Sequence, residues 1–362
     1  MTRILVLSAS AGAGHNRAAE AIAENARAFC PGVEVAWVDS LRYTNRLFAK
    51  VYEQSYFWMA TYAPNLWGAV YDRMGRNVER RRLKKAIELY DRLTYRKLME
   101  HVEEFRPDVA ICTHFLPANV LLAKRVGIPV YIVVTDYDVH TMWLNRRAAG
   151  YFVGCEEVKV KLARYGYPPD RIHLTGIPIH PAFAQDGAYP PSDRPRLLFM
   201  SGGFGMGQME EALARLLEVP VPFHLTVVAG KNERMRRKLA ARAGDRAEVH
   251  GFVHNVPELM GRSDLMITKA GGLTVSECLA RRLPMVIFAP IPGQEECNAD
   301  YLVELGAAVK ARSIDLLDYK VARLLETPAR LDMMKRAAGA AARPYAGRDI
   351  LRRVLDENPP GR

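Results

Sequence analysis

The residues best suited to chemistry in the first half of the chain lie in SASAGAGH, residues 8–15. This segment follows a short apolar strand, and Gly12 and Gly14 precede His15 and a predicted helix. Amides at a helix N-terminus bind phosphate oxygens, and glycines let a bulky group approach the backbone. Arg17 replaces the third glycine of a dinucleotide fingerprint, and the Lys-Ser/Thr of a P-loop is absent. The segment predicts either a tight strand-to-helix turn or a ligand loop beside an imidazole.

Two glycine segments in the second half also follow apolar strands: MSGGFGMGQ at residues 200–208 and AGGLTVSE at residues 270–277. Before the latter, a buried strand ends at Lys269, and a predicted helix opens around Thr274 with Glu277 in its first turns. A carboxylate there can accept hydrogen bonds from both hydroxyls of a ribose, or it is only the acid that a helix dipole favours. The following PGQEECN offers amide and carboxylate groups that suit a sugar. The candidate ligand contacts are Lys269, Gly271, Gly272, Thr274, Glu277, Gln294, Glu295 and Asn298.

Polar side chains also follow the third and fourth apolar runs of the first half. His114 follows DVAICT, and Asp136 and His140 follow VYIVVT. The carboxyl ends of parallel strands meet at one sheet edge, so these side chains are candidates for the same site as His15. Asp136 either orients His15, binds an acceptor or caps a helix. His114 either lines an acceptor site or is a satisfied structural histidine.

The whole chain alternates apolar, β-branched runs with amphipathic stretches. The runs are RILVLS, VEVAWV, DVAICT, VYIVVT, YFVGC and IHLTG, then RLLFMS, HLTVVAG, AEVHGF, DLMITK, PMVIFA and AAVKA. Such runs predict parallel strands covered by helices on both faces. The proline-rich AYPPSDRPR at 188–196 predicts a linker. We therefore predict an α/β protein with two Rossmann-like, doubly wound domains facing a cleft, at residues 1–187 and 188–342.

The composition, 49% hydrophobic and 25% charged, is that of a globular protein, and 362 residues suffice for two domains. No apolar run approaches the ~18 residues that suggest a membrane-spanning helix, and the N-terminus lacks a signal-peptide layout. The five cysteines form no CxxC pair, so we expect reduced thiols in a cytosolic chain. The net charge of +11 indicates an anionic partner. Without an RNP, helix-turn-helix or zinc pattern, we do not expect nucleic acid.

One segment of the first half combines aromatic and basic side chains. Residues 43–71 are rich in tyrosine, phenylalanine and tryptophan, and residues 73–85 are rich in arginine and lysine. This combination suits an anionic membrane surface, and a packed aromatic helix with a solvated basic face is the alternative. The residues that we assign to membrane contact are Trp58, Trp67, Arg80, Arg81, Arg82, Lys84 and Lys85.

Several of these motifs resemble one enzyme family and occur in its order. SASAGAGHNRAAEAI, VVTDYDVHTMW and TGIPIHP resemble the monogalactosyldiacylglycerol synthases and the processive diacylglycerol glucosyltransferases. AGGLTVSE and GQEECN resemble the donor region of the related lipid II N-acetylglucosaminyltransferases. The resemblance implies a glycosyltransferase fold of the B type, with a C-terminal helix at 343–357 packing back on the first domain. The plant enzymes have a proline in AGPGT where this chain has AGGLT, and this difference bears on which sugar is used.

The resemblance also implies roles for individual residues. It makes His15 the catalytic base, a role that suits an imidazole of pKa about 6.5. We assign Asp136 a catalytic role beside His15. It makes Glu277 the ribose ligand and places Gln294 and Glu295 on the sugar. The diphosphate loop of the family corresponds to Gly202, Gly203 and Gly205. The backbone that holds the uracil corresponds to Phe252 and Val253. The residues assigned to the acceptor are Gly14, His114, His140 and Trp143.

From these motifs we predict an inverting glycosyltransferase, peripheral on the cytoplasmic face of the cell membrane. It would move glucose or galactose from a UDP-sugar to diacylglycerol or a glycolipid and form a β-glycoside. Backbone amides can stabilise the departing diphosphate, so we expect no cofactor and no metal ion. The alternatives are N-acetylglucosamine transfer to a polyprenyl-linked lipid, a nucleotide-sugar epimerase, and a nucleotide-sugar binder without activity.

Overall fold

The computed structural model describes residues 1–10, 12–44, 95–185, 187, 189–201 and 208–359. The chain forms two compact units, Met1–Pro181 with Tyr345–Arg362, and Ala182–Pro344. The predicted boundary between residues 187 and 188 thus falls inside the second unit, because the proline-rich linker runs along that unit. Arg196 of the second unit donates to the carbonyl of Pro190, which anchors the linker there.

The first unit contains one sheet of parallel strands. Its strands are β1 (Thr2–Ser8), β2 (Val33–Asp39), β3 (Val109–Cys112), β4 (Val130–Val133), β5 (Gly150–Val153) and β6 (Ile172–Leu174). They lie in the order β2-β1-β3-β4-β5-β6. The chain moves outward from β1 to β2 and then returns to the other side of β1 with β3. That reversal between β1 and β3 is the point where doubly wound sheets bind ligands.

Helices cover this sheet. They are α1 (Ala13–Phe29), α2 (Arg96–Phe105), α3 (Phe115–Lys124), α4 (Glu156–Arg164) and, from the C-terminal end of the chain, α12 (Ala346–Glu357). Helix α12 packs against α1 with the buried side chains of Ile350, Leu351 and Val354. Gly347 lies against Asn25, whose side-chain amide donates to the carbonyls of Ala21 and Ile179. The predicted C-terminal helix is therefore part of the first unit.

The second unit repeats the architecture with a different strand order. Its strands are β7 (Arg196–Met200), β8 (His224–Val228), β9 (Glu248–His250), β10 (Leu265–Thr268), β11 (Met285–Phe288) and β12 (Ala308–Ala311). All pair in parallel in the order β12-β11-β10-β7-β8-β9, so the reversal lies between β7 and β10. The covering helices are α5 (Met209–Leu216), α6 (Glu233–Ala243), α7 (Val256–Gly261), α8 (Gly272–Ala280), α9 (Gln294–Glu304), α10 (Leu317–Leu325) and α11 (Pro328–Ala341).

The apolar runs of the sequence account for both sheets. All twelve predicted runs overlap a strand, and β3, β4, β5, β10 and β11 are buried at every position. Continuous burial is what parallel strands require when helices lie on both faces. The prediction of two doubly wound α/β domains is confirmed at the level of each unit.

Candidate functional site

The reversal point of the first unit brings three parts of the chain together. β1 pairs with β3, and β3 with β4, so the residues after these strands share the carboxyl edge of the sheet. These residues include His15 at the start of α1, His114 after β3 and Asp136 after β4. The predicted grouping of these side chains follows from this strand order.

The ring of His15 is held by two threonines that the sequence analysis did not identify. Its Nδ1 lies 2.9 Å from the carbonyl oxygen of Thr113 and 2.9 Å from the hydroxyl of Thr135. A carbonyl oxygen only accepts, so Nδ1 carries the proton and Nε2 keeps its lone pair. The hydroxyl of Thr113 also donates to the backbone carbonyl of His15 at 2.9 Å. The imidazole is therefore fixed in the tautomer that a general base needs.

Burial keeps this imidazole neutral. It lowers the pKa of His15 from its ordinary value of 6.5 to about 4, and the hydrogen bond to Thr113 opposes the shift. The ring of His114 packs edge-on against His15, with centroids 4.6 Å apart. Burial and the neighbouring His15 hold the pKa of His114 well below its usual range. At neutral pH both rings are uncharged, so His15 is ready to accept a proton.

Three of the predicted acceptor residues, His114, His140 and Trp143, cap helices or pack against the site. His114 caps α3, because its Nδ1 accepts from the amide of Leu116 at 3.0 Å. His140 caps a short 3-10 helix in the same way, through the amide of Met142. Trp143 is only 2% exposed and packs behind His15 and His114, so it forms a wall of the site rather than an open surface. Asp136 lies half-buried after Thr135, on the same edge.

A buried carboxylate fixes the first glycine segment. Asp39 ends β2 and is 4% exposed, and its oxygens accept from the amides of Ser10 and Leu41 and from the hydroxyl of Ser10. The amide nitrogen of Asn16 donates to the Ser10 oxygen at 3.1 Å, and its carbonyl oxygen accepts from Ser8 at 2.5 Å. Gly12, the cap of α1, supplies no side chain, so this network holds the helix start that carries His15. The signal available in the sequence was an aspartate directly after the second apolar run.

In the second unit, the loop between β10 and α8 has the properties of a phosphate or sugar cradle. Gly271 caps α8 without a side-chain hydrogen bond among the described residues, so no cap side chain occupies the first amides of the helix, which are the groups that bind phosphate at such a terminus. Half-buried Lys269 and Thr274 flank this loop, and Gly272 is the first residue of the helix. Glu277 lies in the second turn and is 8% exposed. Together with burial, its carboxylate holds the pKa of Cys278 well above the usual range.

Two of the three predicted sugar contacts support this loop. Asn298 is fully buried and donates from its side-chain amide to the carbonyl of Ala270 at 2.9 Å. One oxygen of Glu295 accepts from the amide of Ile291 at 2.8 Å, and the other lies 3.8 Å from where a Cβ on Gly271 would be. Gln294 is the half-buried first residue of α9. Asn298 therefore shapes the cradle, and Glu295 and Gln294 border it.

An exposed aromatic ring lies at the same edge of the second sheet. Phe252 follows β9 and is 43% exposed, with Lys231 Nζ 5.2 Å from its ring centroid and His254 packed edge-on at 5.0 Å. Val253 is half-buried beside it. A flat exposed ring and a cation are suited to a nucleobase and an anion.

The remaining predicted residues lie outside the described residues. These are the diphosphate glycines Gly202, Gly203 and Gly205, and the membrane residues Trp58, Trp67, Arg80, Arg81, Arg82, Lys84 and Lys85. Within the part of the chain that the structure describes, no group of three His, Cys, Asp or Glu side chains could hold a metal ion. No helix among those residues is long and apolar enough to cross a membrane.

Comparison with known proteins covers nearly the whole chain. Residues 15–179 match the monogalactosyldiacylglycerol (MGDG) synthase family, and residues 207–348 match the glycosyltransferase family 28 C-terminal domain. Processive diacylglycerol beta-glucosyltransferases of Bacillus mycoides (strain KBAB4) and Bacillus cytotoxicus (strain DSM 22905 / CIP 110041 / 391-98 / NVH 391-98) are 31% and 32% identical to it. Each alignment covers 98% of this chain and 94% of the relative.

Similar solved structures share the fold at lower identity. Acinetobacter baumannii MurG has a TM-score of 0.66 and 17% identity, covering 98% of this chain and 100% of its own. A putative UDP-N-acetylglucosamine 2-epimerase from Listeria monocytogenes has a TM-score of 0.62 and 15% identity, covering 98% and 96%. The predicted fold of the glycosyltransferase B type is thus confirmed. The fold by itself does not separate transferases from epimerases, because both have it.

Proposed function

Since the chain belongs to the family of the processive diacylglycerol β-glucosyltransferases, we propose that it transfers a hexose from a UDP-sugar to diacylglycerol. The observation that carries the mechanism is the ring of His15. Its Nδ1 is committed to Thr113, its Nε2 has a free lone pair, and its low pKa keeps it neutral. An alcohol needs such a base, because its own pKa lies far above neutrality.

The reaction is a direct displacement. Nε2 of His15 takes the proton of the acceptor hydroxyl while the hydroxyl oxygen attacks the anomeric carbon of the donor sugar. The bond between that carbon and the UDP oxygen breaks in the same step. Attack opposite the leaving group inverts the anomeric centre, so an α-linked donor gives a β-glycoside. General-base catalysis of this kind contributes typically about 10²–10⁴-fold in rate. Asp136, at the same edge of the sheet, either orients the base or binds the acceptor.

The second unit binds the donor in this proposal. Glu277 accepts hydrogen bonds from the ribose hydroxyls, Gln294 and Glu295 contact the hexose, and Phe252 and Val253 hold the uracil. Amides at the start of α8 and in the glycine segment of residues 202–205 stabilise the diphosphate as it leaves. No metal ion is needed for this charge, so activity should survive EDTA. Loss of turnover that Mg²⁺ or Mn²⁺ restores would contradict this part of the proposal.

The acceptor and the location complete the proposal. Diacylglycerol is a bilayer lipid, so the enzyme works as a peripheral protein, on the cytoplasmic face of the cell membrane. Epimerase activity is less well supported than transfer, since the epimerase similarity is 15% in sequence whereas the glucosyltransferase similarity is 31% over nearly the full chain. N-acetylglucosamine transfer to a polyprenyl lipid is the other transferase reaction to test.

One experiment decides between these reactions. The full chain is incubated with diacylglycerol vesicles and UDP-glucose, UDP-galactose or UDP-N-acetylglucosamine in turn, and the lipids are analysed by mass spectrometry. We expect monohexosyl diacylglycerol with at least one of the first two donors, and the number of added sugars is read from the same spectra. Product only with UDP-N-acetylglucosamine and a polyprenyl lipid, or epimerised donor without glycolipid, would overturn the proposal. A denatured sample serves as control.

A further inference from the structure

A concave surface of the second unit lies away from the residues of the candidate donor site. This groove has a volume of about 1090 Å³. It lies beside the first residues of two strands, β7, which starts at Arg196, and β10, which starts at Leu265. The linker, the end of α8 and one face of α11 form its walls. It therefore lies at the amino edge of the sheet, whereas Glu277 and Phe252 follow the carboxyl edge. A strand of four or five residues separates the two edges by roughly 13–16 Å.

Basic side chains dominate the lining of this groove. Three acidic residues line it: Asp193, Asp264 and Asp332. Seven cationic residues line it, and they come from four separate parts of the chain: Arg194, Arg196, Arg262, Arg281, Arg282, Lys335 and Arg336. A concave surface lined by one sign of charge focuses its field on counter-ions.

Two of the three acids are already engaged. Asp264 accepts from the amide of Arg196 at 3.0 Å and lies 3.4 Å from the ammonium of Lys335. Asp193 lies 3.5 Å from Arg194 and 3.0 Å from His224. These contacts leave the charge of several arginines in the groove uncompensated.

Several arginines of the groove form no ion pair with a carboxylate among the described residues, and two of these are exposed. Arg336 projects from α11 and is exposed, and Arg282 follows α8 and is also exposed. The Cγ and Cδ of Arg282 lie 3.4 Å from where a Cβ on Gly339 would be, so this side chain rests against α11. Arg281 donates to the hydroxyl of Tyr189 and to the carbonyl of Gln185, and its buried Nε has no hydrogen-bond partner among the described residues. Three guanidinium groups thus line this part of the groove without an ion pair to a carboxylate among the described residues, and Asp332, one turn before Arg336 on α11, is the third acid of the lining.

The position of Arg282 costs backbone strain. Its φ is 53°, in the left-handed region. Arg282 follows the last turn of α8 in a Schellman motif, in which the amide of Leu283 donates a hydrogen bond to the carbonyl of Cys278. Glycine is the favoured residue there, because a Cβ is disfavoured in the left-handed region. Arg106 and Arg125 end α2 and α3 with the same backbone conformation, and a cation at a helix C-terminus is favoured by the dipole. Strain at Arg282 therefore does not by itself indicate a ligand, but Arg106 offers a matched control.

We propose that this groove is a binding site for a phosphate-bearing anion, separate from the donor site. Guanidinium groups bind phosphate oxygens through paired N–H donors. Arg282, at the end of α8, and Arg336, on α11, supply such groups, and Arg281 adds its positive charge to the same lining. A volume of about 1090 Å³ accommodates either a free diphosphate or the headgroup of an anionic phospholipid.

The test uses the full chain with UDP saturating the donor site. The groove variant is Arg282→Gly with Arg336→Gln. The control variant is Arg106→Gly with Arg242→Gln, which makes the same changes of charge and backbone at exposed positions outside the groove. Binding of inorganic pyrophosphate is measured by calorimetry. Binding to phosphatidylcholine vesicles with and without phosphatidylglycerol is measured by sedimentation.

We expect the groove variant to lose at least about tenfold in affinity for one probe or both, and the control to keep wild-type affinity. Loss toward pyrophosphate alone identifies a free phosphate, and loss toward phosphatidylglycerol vesicles identifies a lipid headgroup. The melting temperature should rise in both variants as the left-handed arginine becomes glycine, which excludes unfolding as the cause. Unchanged affinity of the groove variant for both probes, or an equal loss in the control, would overturn the proposal.

Discussion

His15 has the position and the protonation state of a base, and both depend on neighbours distant in sequence. Replacing it with alanine removes the proton acceptor but leaves the second unit intact. We expect kcat to fall by about 10²-fold or more, with UDP affinity near that of the wild type. Initial rates on diacylglycerol vesicles and calorimetry with UDP measure the two effects. His224→Ala, an exposed histidine of the second unit, is the control. A His15 variant that keeps most of its turnover would disprove the assignment.

The low pKa of His15 also makes stability depend on pH. In the unfolded chain a histidine titrates near its ordinary pKa of about 6.5, whereas the folded protein holds the pKa of His15 at about 4. Between these values the unfolded state binds more protons, so the free energy of unfolding falls as the pH is lowered through this range. The lowered pKa of His114 contributes to the same trend, and the variant His15→Gln isolates the contribution of His15. Urea unfolding at pH 7.5 and 5 should show a smaller decrease in this variant, and an equal decrease would refute the argument.

Glu277 is the residue on which the donor proposal depends most. Its alanine variant should bind UDP more weakly by about 1.5–3 kcal/mol, the range for hydrogen bonds to a charged group, or roughly 10- to 150-fold. The dependence of rate on acceptor concentration should change little. Glu304→Ala, at an exposed site on α9, is the matched control for calorimetry. Wild-type UDP affinity in the Glu277 variant would leave this glutamate with a structural role only.

At the scale of elements, the start of α1 depends on the network of Asp39, Ser10 and Asn16. Asp39→Asn keeps the size of the side chain but replaces one acceptor oxygen with a donor facing the Ser10 hydroxyl. The network then lacks one acceptor, and the segment that carries His15 loses its fixed position. We expect kcat to fall by about tenfold, a loss of about 1.4 kcal/mol of transition-state stabilisation, while UDP affinity stays unchanged.

A double-mutant comparison shows whether Asp39 acts through His15. If it does, Asp39→Asn in the His15→Ala background should have little further effect on kcat. Asp108→Asn is the control, because Asp108 also accepts from a backbone amide of this sheet, that of Arg3, but at the opposite edge. A further tenfold loss in the His15→Ala background would indicate that Asp39 has only a general structural role.

At the scale of the whole molecule, a chain with a net charge of +11 is expected to use some of its charge at a membrane. Replacing Arg80, Arg81, Arg82, Lys84 and Lys85 with glutamine should sharply reduce binding to anionic vesicles. Each basic residue near such a surface contributes about 1 kcal/mol, and salt screens the attraction over roughly 10 Å at 0.1 M. Sedimentation with vesicles at low and high salt measures the effect.

The same variant should keep its turnover on a short-chain acceptor dispersed in detergent, because the donor residues are untouched. The variant Arg106→Gly with Arg242→Gln is the control, since it removes charge at exposed positions outside both the basic run and the groove. If the five-residue variant binds vesicles as tightly as the wild type, the basic side chains do not contact the membrane and only face solvent. The docking surface would then lie elsewhere in the protein.

Local features of the sequence were enough to predict the strands, the glycine segments and the family. An apolar run such as DVAICT or PMVIFA specifies a buried parallel strand by itself, because its pattern is contained within a few consecutive residues. The motifs around His15 and Glu277 are equally local, so their residues could be named without coordinates. Their assigned roles remain predictions that the experiments above address.

Only the tertiary structure decided what surrounds those residues. Thr113 and Thr135 reach His15 across 98 and 120 residues because the sheet places β1, β3 and β4 side by side. Asp39 reaches Ser10 for the same reason, since β2 pairs with β1. The groove of arginines likewise gathers four distant parts of the chain. Such contacts depend on strand order, and strand order is not encoded in the periodicity of any single segment.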